Sequence, residues 1–234
     1  MSEKIIGILG GMGPEATADL YLRIIRATKA KRDQDHPRVI IYSNSKVPDR
    51  TPAILGKGPS PLPEMLRTGR ALEAAGADFI IIPCNTAHYY YDDLTGELKL
   101  PILHMIRLAA DETRKKTTGI TRAGLLATDG TVASRLYNDA FSEACIEIIT
   151  PPPRQQADVM IAIYQHVKAG DLEGGGSILR GVGEELVEEG SEAIICGCTE
   201  ISLVLKQGDL EVPVMDPLQV LAEAAVDYAF GRRK

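Results

Sequence analysis

"ALEAAGADFIIIPCNT" (residues 71–86) and "ELVEEGSEAIICGCTE" (residues 185–200) follow one plan. In each, a helix-like run stops at a glycine, an apolar run follows, and a cysteine ends it with a threonine close behind. Gly76 precedes Cys84 by eight residues, and Gly190 precedes Cys198 by eight. Ile80 and Ile81 match Ile194 and Ile195. A short apolar run bounded by turn residues fits a strand buried on both faces. Each stretch is therefore predicted to be a helix feeding a strand of a parallel sheet.

The same order extends outward. "KIIGILGG" (4–11) is echoed by "RAGLLATDGT" (122–131), "RVIIYSN" (38–44) by "IEIITPPPR" (146–154), and "LPILHM" (100–105) by "VPVMDP" (212–217). "PEATADLYLRIIRATKAKR" (14–32) reads as a helix, with Pro14 at its start and Lys29, Lys31 and Arg32 at its end, as the helix dipole prefers. Strands alternating with helices imply parallel sheets covered on both faces. The fold class is α/β, with two pseudo-symmetric domains and an active site in the cleft between them. The first half-domain is assigned 1–105 plus 208–234, because the helix "PLQVLAEAAVDYAF" needs an apolar partner. The second is assigned 106–207.

At 234 residues the chain can bury a sizeable core. A net charge of -6 argues against nucleic acid as a partner, which usually meets a basic face. The apolar run Ile5 to Leu9 is too short for a signal-peptide core, and no stretch approaches the roughly 18 apolar residues of a membrane span. The expected compartment is the cytoplasm, where thiols stay reduced. The four cysteines, Cys84, Cys145, Cys196 and Cys198, form no CxxC pair.

Each chemical motif has a plainer reading beside it. "GMGPEA" (11–16) fits a dinucleotide-binding turn, but Tyr42, Ser43 and Asn44 end the second strand where a ribose-binding acid belongs. The glycines serve equally to let backbone approach an anion. Cys84 alone could be core packing, and its match in Cys198 argues otherwise. Cys196 lies inside an apolar run and Cys145 at a helix end, so both read as packing. Cys84, His88, Cys198 and His104 could hold a metal, but the spacing beyond C-x3-H is poor. A Cys84–His88 hydrolase would leave the mirrored cysteine unexplained. The segment 43–63 carries five prolines in 21 residues and is expected to be a long functional loop. On it, Asp49 and Arg50 read either as a solvated pair or, for Arg50, as a carboxylate clamp. Lys168 reads locally as a helix-end cation.

Two thiols at matched positions suit proton transfer at an amino-acid Cα. One thiolate removes the proton and the opposite thiol delivers another to the other face, so that no cofactor and no metal is required. Backbone N–H groups after each cysteine, with the Gly10–Gly13 turn around Met12, can hold the α-carboxylate.

"GILGGMGPEAT", "VPDRT", "PCNTAH", "LLATDGT", "VKAG" and "GCTE" together resemble the cofactor-independent aspartate/glutamate racemase family, nearest its aspartate branch. The resemblance runs nearly the whole chain. It implies an amino-acid racemase, usually dimeric, acting on a small acidic amino acid, with Cys84 and Cys198 as the acid/base pair. It further implies that Asn85, Thr86, Thr131 and Thr199 grip the α-carboxylate, with Arg50 and Lys168 near the side-chain carboxylate and Met12 and Glu200 lining the site. Glutamate racemases usually carry Asp-Ser in place of Gly10-Gly11 and histidine in place of Glu200, so both departures favour aspartate. The alternative reaction is isomerisation or decarboxylation of a small dicarboxylate such as maleate, using one cysteine as nucleophile.

Overall fold

Five consecutive buried residues make β1 (Ile6–Gly10) a central strand, and two parallel neighbours flank it. The computed structural model describes residues 3–116 and 119–232. The first sheet has the order β2-β1-β3, with β2 at Val39–Ser43 and β3 at Phe79–Ile81. Ile6 lies opposite Val39 on one side and Phe79 on the other. Its helices are α1 (Pro14–Ala27), α2 (Arg50–Ile54), α3 (Leu62–Ala74) and α4 (Tyr91–Glu97), after which comes α5 (Met105–Lys116). The second sheet has the order β5-β4-β6-β7, from β4 (Arg122–Leu126), β5 (Glu147–Ile149), β6 (Ile194–Cys196) and β7 (Val214–Met215). It is served by α6 (Asp129–Ser134), α7 (Leu136–Ser142), α8 (Pro153–Ile161), α9 (Leu172–Glu188) and α10 (Ile201–Val204), and α11 (Pro217–Ala229) closes the chain. Every strand pairing is parallel. No described helix is long and apolar enough to cross a membrane.

The repeat is visible in how each third strand is placed. Gly76 and Gly190 both hold φ above +90° and stop α3 and α9. The following N–H groups turn back in the same way, Ala77 to the Leu72 carbonyl at 3.1 Å and Ser191 to the Leu186 carbonyl at 3.0 Å. This is the left-handed glycine stop of a helix. Leu72 and Leu186 then press on the glycine of the central strand. A Cβ on Gly7 would lie 2.9 Å from the Ala77 Cβ and 3.5 Å from Leu72, and one on Gly124 would lie 2.6 Å from Ile194 and 3.1 Å from Leu186.

Several expectations are corrected. α1 ends at Ala27, not Arg32, because Thr28 turns extended and returns both its N–H and its hydroxyl to the Ile24 carbonyl, at 3.1 and 2.8 Å. "LPILHMI" forms a single bridge between Ile80 and Ile102 instead of a strand. The Ile80 N–H donates to the Pro101 carbonyl at 2.9 Å and the Leu103 N–H to the Ile80 carbonyl at 3.0 Å, and α5 begins at Met105. The matching segment does form β7, paired with β6. Residues 208–217 therefore belong with the second sheet, not with the first half-domain as assigned from sequence. The chain divides into Met1–Leu108 with Leu218–Lys234, and Ala109–Pro217. The proline-rich loop contains α2, for which Asp49 is the N-cap, accepting from the Thr51 N–H at 3.0 Å. Cys145 is exposed rather than packed, at φ 59° in the turn after α7.

Two glycines in left-handed conformation provide a test of how tightly the first turn is built. Gly11 (φ +93°) has the Asn44 backbone within 2.4 Å of where a Cβ would stand, whereas Gly56 (φ +71°) has nothing within 4 Å. Gly11→Ala is expected to cost about 2–5 kcal/mol, from conformation and overlap together, and Gly56→Ala about 1–2 kcal/mol from conformation alone. Urea denaturation of the two variants measures the difference. Equal losses would mean that the Gly11–Asn44 approach is not what holds the turn.

Candidate active site

In the first unit the candidate residues gather beyond the carboxyl ends of β1 and β3, the edge where parallel sheets bind ligands. Pro83 ends the β3 run, since it has no N–H for the ladder. The Cys84 N–H turns back to the Ile82 carbonyl at 2.9 Å. Cys84 is 5% exposed, and Asn85 and Thr86 are also buried. The thiol belongs to an apolar cluster that includes Met12, Val47, Ile82 and Tyr90.

His88 closes this turn from behind. The Met105 N–H donates to its Nε2 at 3.1 Å, so that nitrogen is unprotonated, and Nδ1–H donates to the Cys84 carbonyl at 2.9 Å. Burial pushes its pKa down to about 4, which keeps the ring neutral. His104 packs against it, ring centroids 4.9 Å apart.

The glycine turn is braced by Thr17, whose hydroxyl accepts from the Gly11 N–H and donates to the Gly13 carbonyl, both at 2.9 Å. A Cβ on Gly10 would lie 2.4 Å from the Thr17 methyl. Arg50 begins α2 and links two loops, with Nη1 donating to the Pro48 carbonyl at 3.0 Å and Nη2 to the Met12 carbonyl at 3.3 Å. The structure thus brings Arg50 and Met12 into contact. Asn44 holds the strand beside them, donating from its amide to Glu64 and Thr68 at 3.2 and 3.0 Å.

In the second unit Gly197 occupies the place of Pro83. A Cβ there would come within 2.6 Å of Leu125 and 2.9 Å of Ala127, so the chain passes close beneath β4. Cys198 is 7% exposed, and its Sγ–H donates to Glu200 Oε2 at 2.9 Å. The Thr199 hydroxyl donates to the same oxygen at 3.3 Å. Lys168, in the short turn Val167–Ala169, forms an ion pair with Glu200 Oε1. Its ammonium lies 5.6 Å from the Tyr164 ring centroid.

This arrangement sets the charges. Burial, then the adjacent Glu200 carboxylate, push the Cys198 thiol well above the ordinary cysteine range against the pull of Lys168. Burial also pushes Glu200 upward, but the Lys168 ammonium and the hydrogen bonds from Cys198 and Lys168 outweigh it and leave the carboxyl below its ordinary value. Cys198 therefore rests as a thiol beside a carboxylate.

Thr131 sits in the first turn of α6, buried, with its N–H directed at the Thr128 hydroxyl at 3.4 Å. Thr128 is the N-cap of that helix. Asp129 accepts from the Gln156 amide at 2.8 Å. Cys196 lies fully buried in the core of this unit. Among the described residues, no group of three or more His, Cys, Asp or Glu side chains is placed to hold a metal ion.

Sequence reasoning missed three features. The bracing role of Thr17 had a signal, since a hydroxyl in the first turn of a helix after a glycine run commonly bonds back. The bond from Cys198 to Glu200 was open to inference from their separation of two residues in "CTE", but not its direction. Tyr137 had no signal: it is fully buried, and burial above all, with the Asp216 carboxylate adding to it, pushes its phenol well up.

Comparison with known proteins places these residues in a family. The Asp/Glu/Hydantoin racemase family model matches residues 9–225. The chain is 31% identical over 238 residues to the broad specificity amino-acid racemase RacX of Bacillus subtilis, covering 95% of this chain and 96% of that one. Among solved structures, Picrophilus torridus aspartate racemase superposes with a TM-score of 0.87 at 31% identity, covering 97% of this chain and 94% of that one. An aspartate racemase homologue from Pyrococcus horikoshii OT3 gives a TM-score of 0.79 at 30% identity, covering 97% and 99%. The chain belongs to the Asp/Glu/hydantoin racemase family.

Proposed function

We propose that this racemase-family chain interconverts L- and D-aspartate without a cofactor, using Cys84 and Cys198 as the two acid/base groups at Cα. The observation that carries the proposal is the matched pair of buried cysteines, one in each repeat, each just beyond the third strand and followed by buried polar side chains, Asn85 and Thr86 after Cys84 and Thr199 and Glu200 after Cys198. A single nucleophile would not need the second thiol.

In the proposed reaction a thiolate takes the Cα proton, and the electron pair left behind spreads into the α-carboxylate. The opposite thiol then gives its proton to the other face of Cα. The charge building on the carboxylate needs donors already in place. The N–H groups of Asn85 and Thr199 and the side chains of Asn85, Thr86, Thr131 and Thr199 are the candidates. Cys198, a resting thiol, is ready to act as the acid. To act as the base it must lose its proton, and Glu200 already accepts that S–H bond.

The likeness to the Picrophilus torridus aspartate racemase supports aspartate as substrate. So does the glycine turn, where Thr17 and the Asn44 backbone fill the space that side chains on Gly10 and Gly11 would need. The likeness to RacX supports testing a wider panel of amino acids. We further propose a homodimer in the cytoplasm. Tyr21 and Leu22 of α1 and Ile41 and Tyr42 of the sheet-edge strand β2 are exposed large apolar residues suited to a second copy.

With L-aspartate in D2O, the D-product should carry deuterium from its first appearance while recovered L-substrate carries little. Product that keeps the original hydrogen would indicate a single base. Cys84→Ala and Cys198→Ala should each lower the rate by about two to four orders of magnitude, whereas Cys196→Ala should keep activity and lose about 1 kcal/mol of stability. Chiral chromatography with a panel of L-amino acids reports the substrate.

The role of Glu200 is tested by alkylation of Cys198 as a function of pH, read by mass spectrometry. Glu200→Gln removes the negative charge and leaves Lys168 in place, so the pH at which Cys198 becomes reactive should fall. Lys168→Met removes the opposing cation, so that pH should rise. An unmoved profile in Glu200→Gln would remove the carboxylate from the thiol's surroundings.

A further inference from the structure

We infer that His88 is a positioning residue for the proposed reaction: its ring fixes and polarises the Cys84–Asn85 peptide, so that the Asn85 N–H is aimed at the substrate carboxylate. This inference rests on the reading of Cys84 as an acid/base thiol. The peptide is trans, since Met12–Gly13 is the one cis bond among the described residues, and a planar trans peptide points its C=O and N–H in opposite directions. Whatever holds the Cys84 carbonyl therefore aims the Asn85 N–H the other way.

The ring holds that carbonyl at 2.9 Å through Nδ1–H. Its tautomer is not free to change, because the Met105 N–H, at the start of the 12-residue helix α5, donates to Nε2 at 3.1 Å. The result is a directed chain of hydrogen bonds, from the positive end of a helix through the imidazole to the Cys84 carbonyl. Such chains polarise one another, and a carbonyl that accepts strengthens its own peptide N–H as a donor. The ring is fully enclosed and kept neutral, so the chain keeps its direction.

The second repeat does the same work differently. There the Cys198 carbonyl accepts from the Ile201 N–H at 3.0 Å and, more loosely, from the Ser202 N–H at 3.4 Å. Helix α10 starts early enough for its own backbone to hold the peptide. In the first repeat the His88 N–H bonds to the Asn85 carbonyl at 3.0 Å instead, and the His88 ring supplies the donor to Cys84. A side chain with a donor and an acceptor in fixed relation thus stands in for a helical turn.

Two substitutions separate the two bonds. Asn places its amide nitrogen where Nδ1 sits and keeps the bond to Cys84. Gln places its amide oxygen near Nε2 and keeps the bond from Met105. His88→Gln is expected to lower kcat/KM by about tenfold or more, as loss of a carboxylate donor does, and to change the alkylation rate of Cys84 but not of Cys198 in the same molecule. His88→Asn should stay within about threefold of wild type on both readouts. Wild-type behaviour in His88→Gln, equal losses in both variants, or parallel changes at Cys84, Cys196 and Cys198 would overturn the inference, the last because it signals general loosening. If neither variant folds, 15N NMR of the native protein decides: the Nδ1–H tautomer at neutral pH is required, and an Nε2–H ring overturns it. Wild-type protein that racemises no amino acid would sink the proposed function, while the alkylation comparison would still judge the role of His88.

Discussion

The close approach of a helix to the central strand of each sheet sets the position of everything that follows it. A parallel strand can be reached only by a crossover, and the crossover helix must stop and turn back onto the sheet at a fixed height. Gly76 and Gly190 provide the stop, and Gly7 and Gly124 provide the space into which Ala77 and Leu72, and Ile194 and Leu186, are pressed. Were either central glycine replaced by a larger residue, the third strand could not sit at the same depth. The cysteine that ends that strand would move with it. On the proposed reaction such movement matters, since reacting atoms must be held about 3–3.5 Å apart. The close packing at Gly7 and Gly124 therefore lies behind the strand that ends in each cysteine.

The two repeats share this frame and differ in what surrounds the sulfur. Cys84 lies among apolar side chains with a neutral imidazole behind its carbonyl, and Cys198 lies against a carboxylate that an ammonium keeps ionised. Burial makes the charge of such a carboxylate costly, and the Lys168 ammonium offsets that cost. With Lys168 it stays charged and holds the thiol proton in place. The sequence difference is small, a histidine four residues after the first cysteine and a glutamate two residues after the second, yet it makes the environments chemically unlike.

The architecture was largely legible because the repeat is carried by residues with single physical meanings. A glycine eight residues before a cysteine, after a helical run and before isoleucines, leaves few readings other than a helix stop and a buried strand. Boundaries were less legible where a local bond overrode the pattern. Thr28 ends α1 through the Ile24 carbonyl although the cations that follow suggest a longer helix. The apolar run around Ile102 makes one bridge where its counterpart makes β7. Strand β7 stays with the second sheet because its partner β6 lies there, a long-range fact that composition does not carry. At the site, residue types and spacing pointed to the cysteines and to their hydroxyl and amide neighbours. The partners of Arg50, Lys168 and His88 were not legible, because each depends on how a loop returns across the sheet edge.

On the proposed reaction, the unlike surroundings of the two thiols meet a constraint of their own. Enantiomers have equal free energy in water, so kcat/KM must be the same in both directions however the enzyme is built. Asymmetry between Cys84 and Cys198 can only redistribute kcat and KM separately. The free enzyme exists in two protonation forms, one able to accept a proton from each enantiomer. The bond from Cys198 to Glu200 favours the form in which Cys198 is the thiol. If Cys198 is the thiol that takes its proton from the L-enantiomer in the proposed reaction, the favoured form is the one that accepts the D-enantiomer. The L-enantiomer must draw on the minor form, and its apparent affinity falls by that form's share of the population. Its kcat must rise in proportion to keep the ratio equal. On that assignment Glu200 would act on saturation rather than on equilibrium, and the carboxylate that accepts the thiol proton would determine which enantiomer saturates the enzyme first.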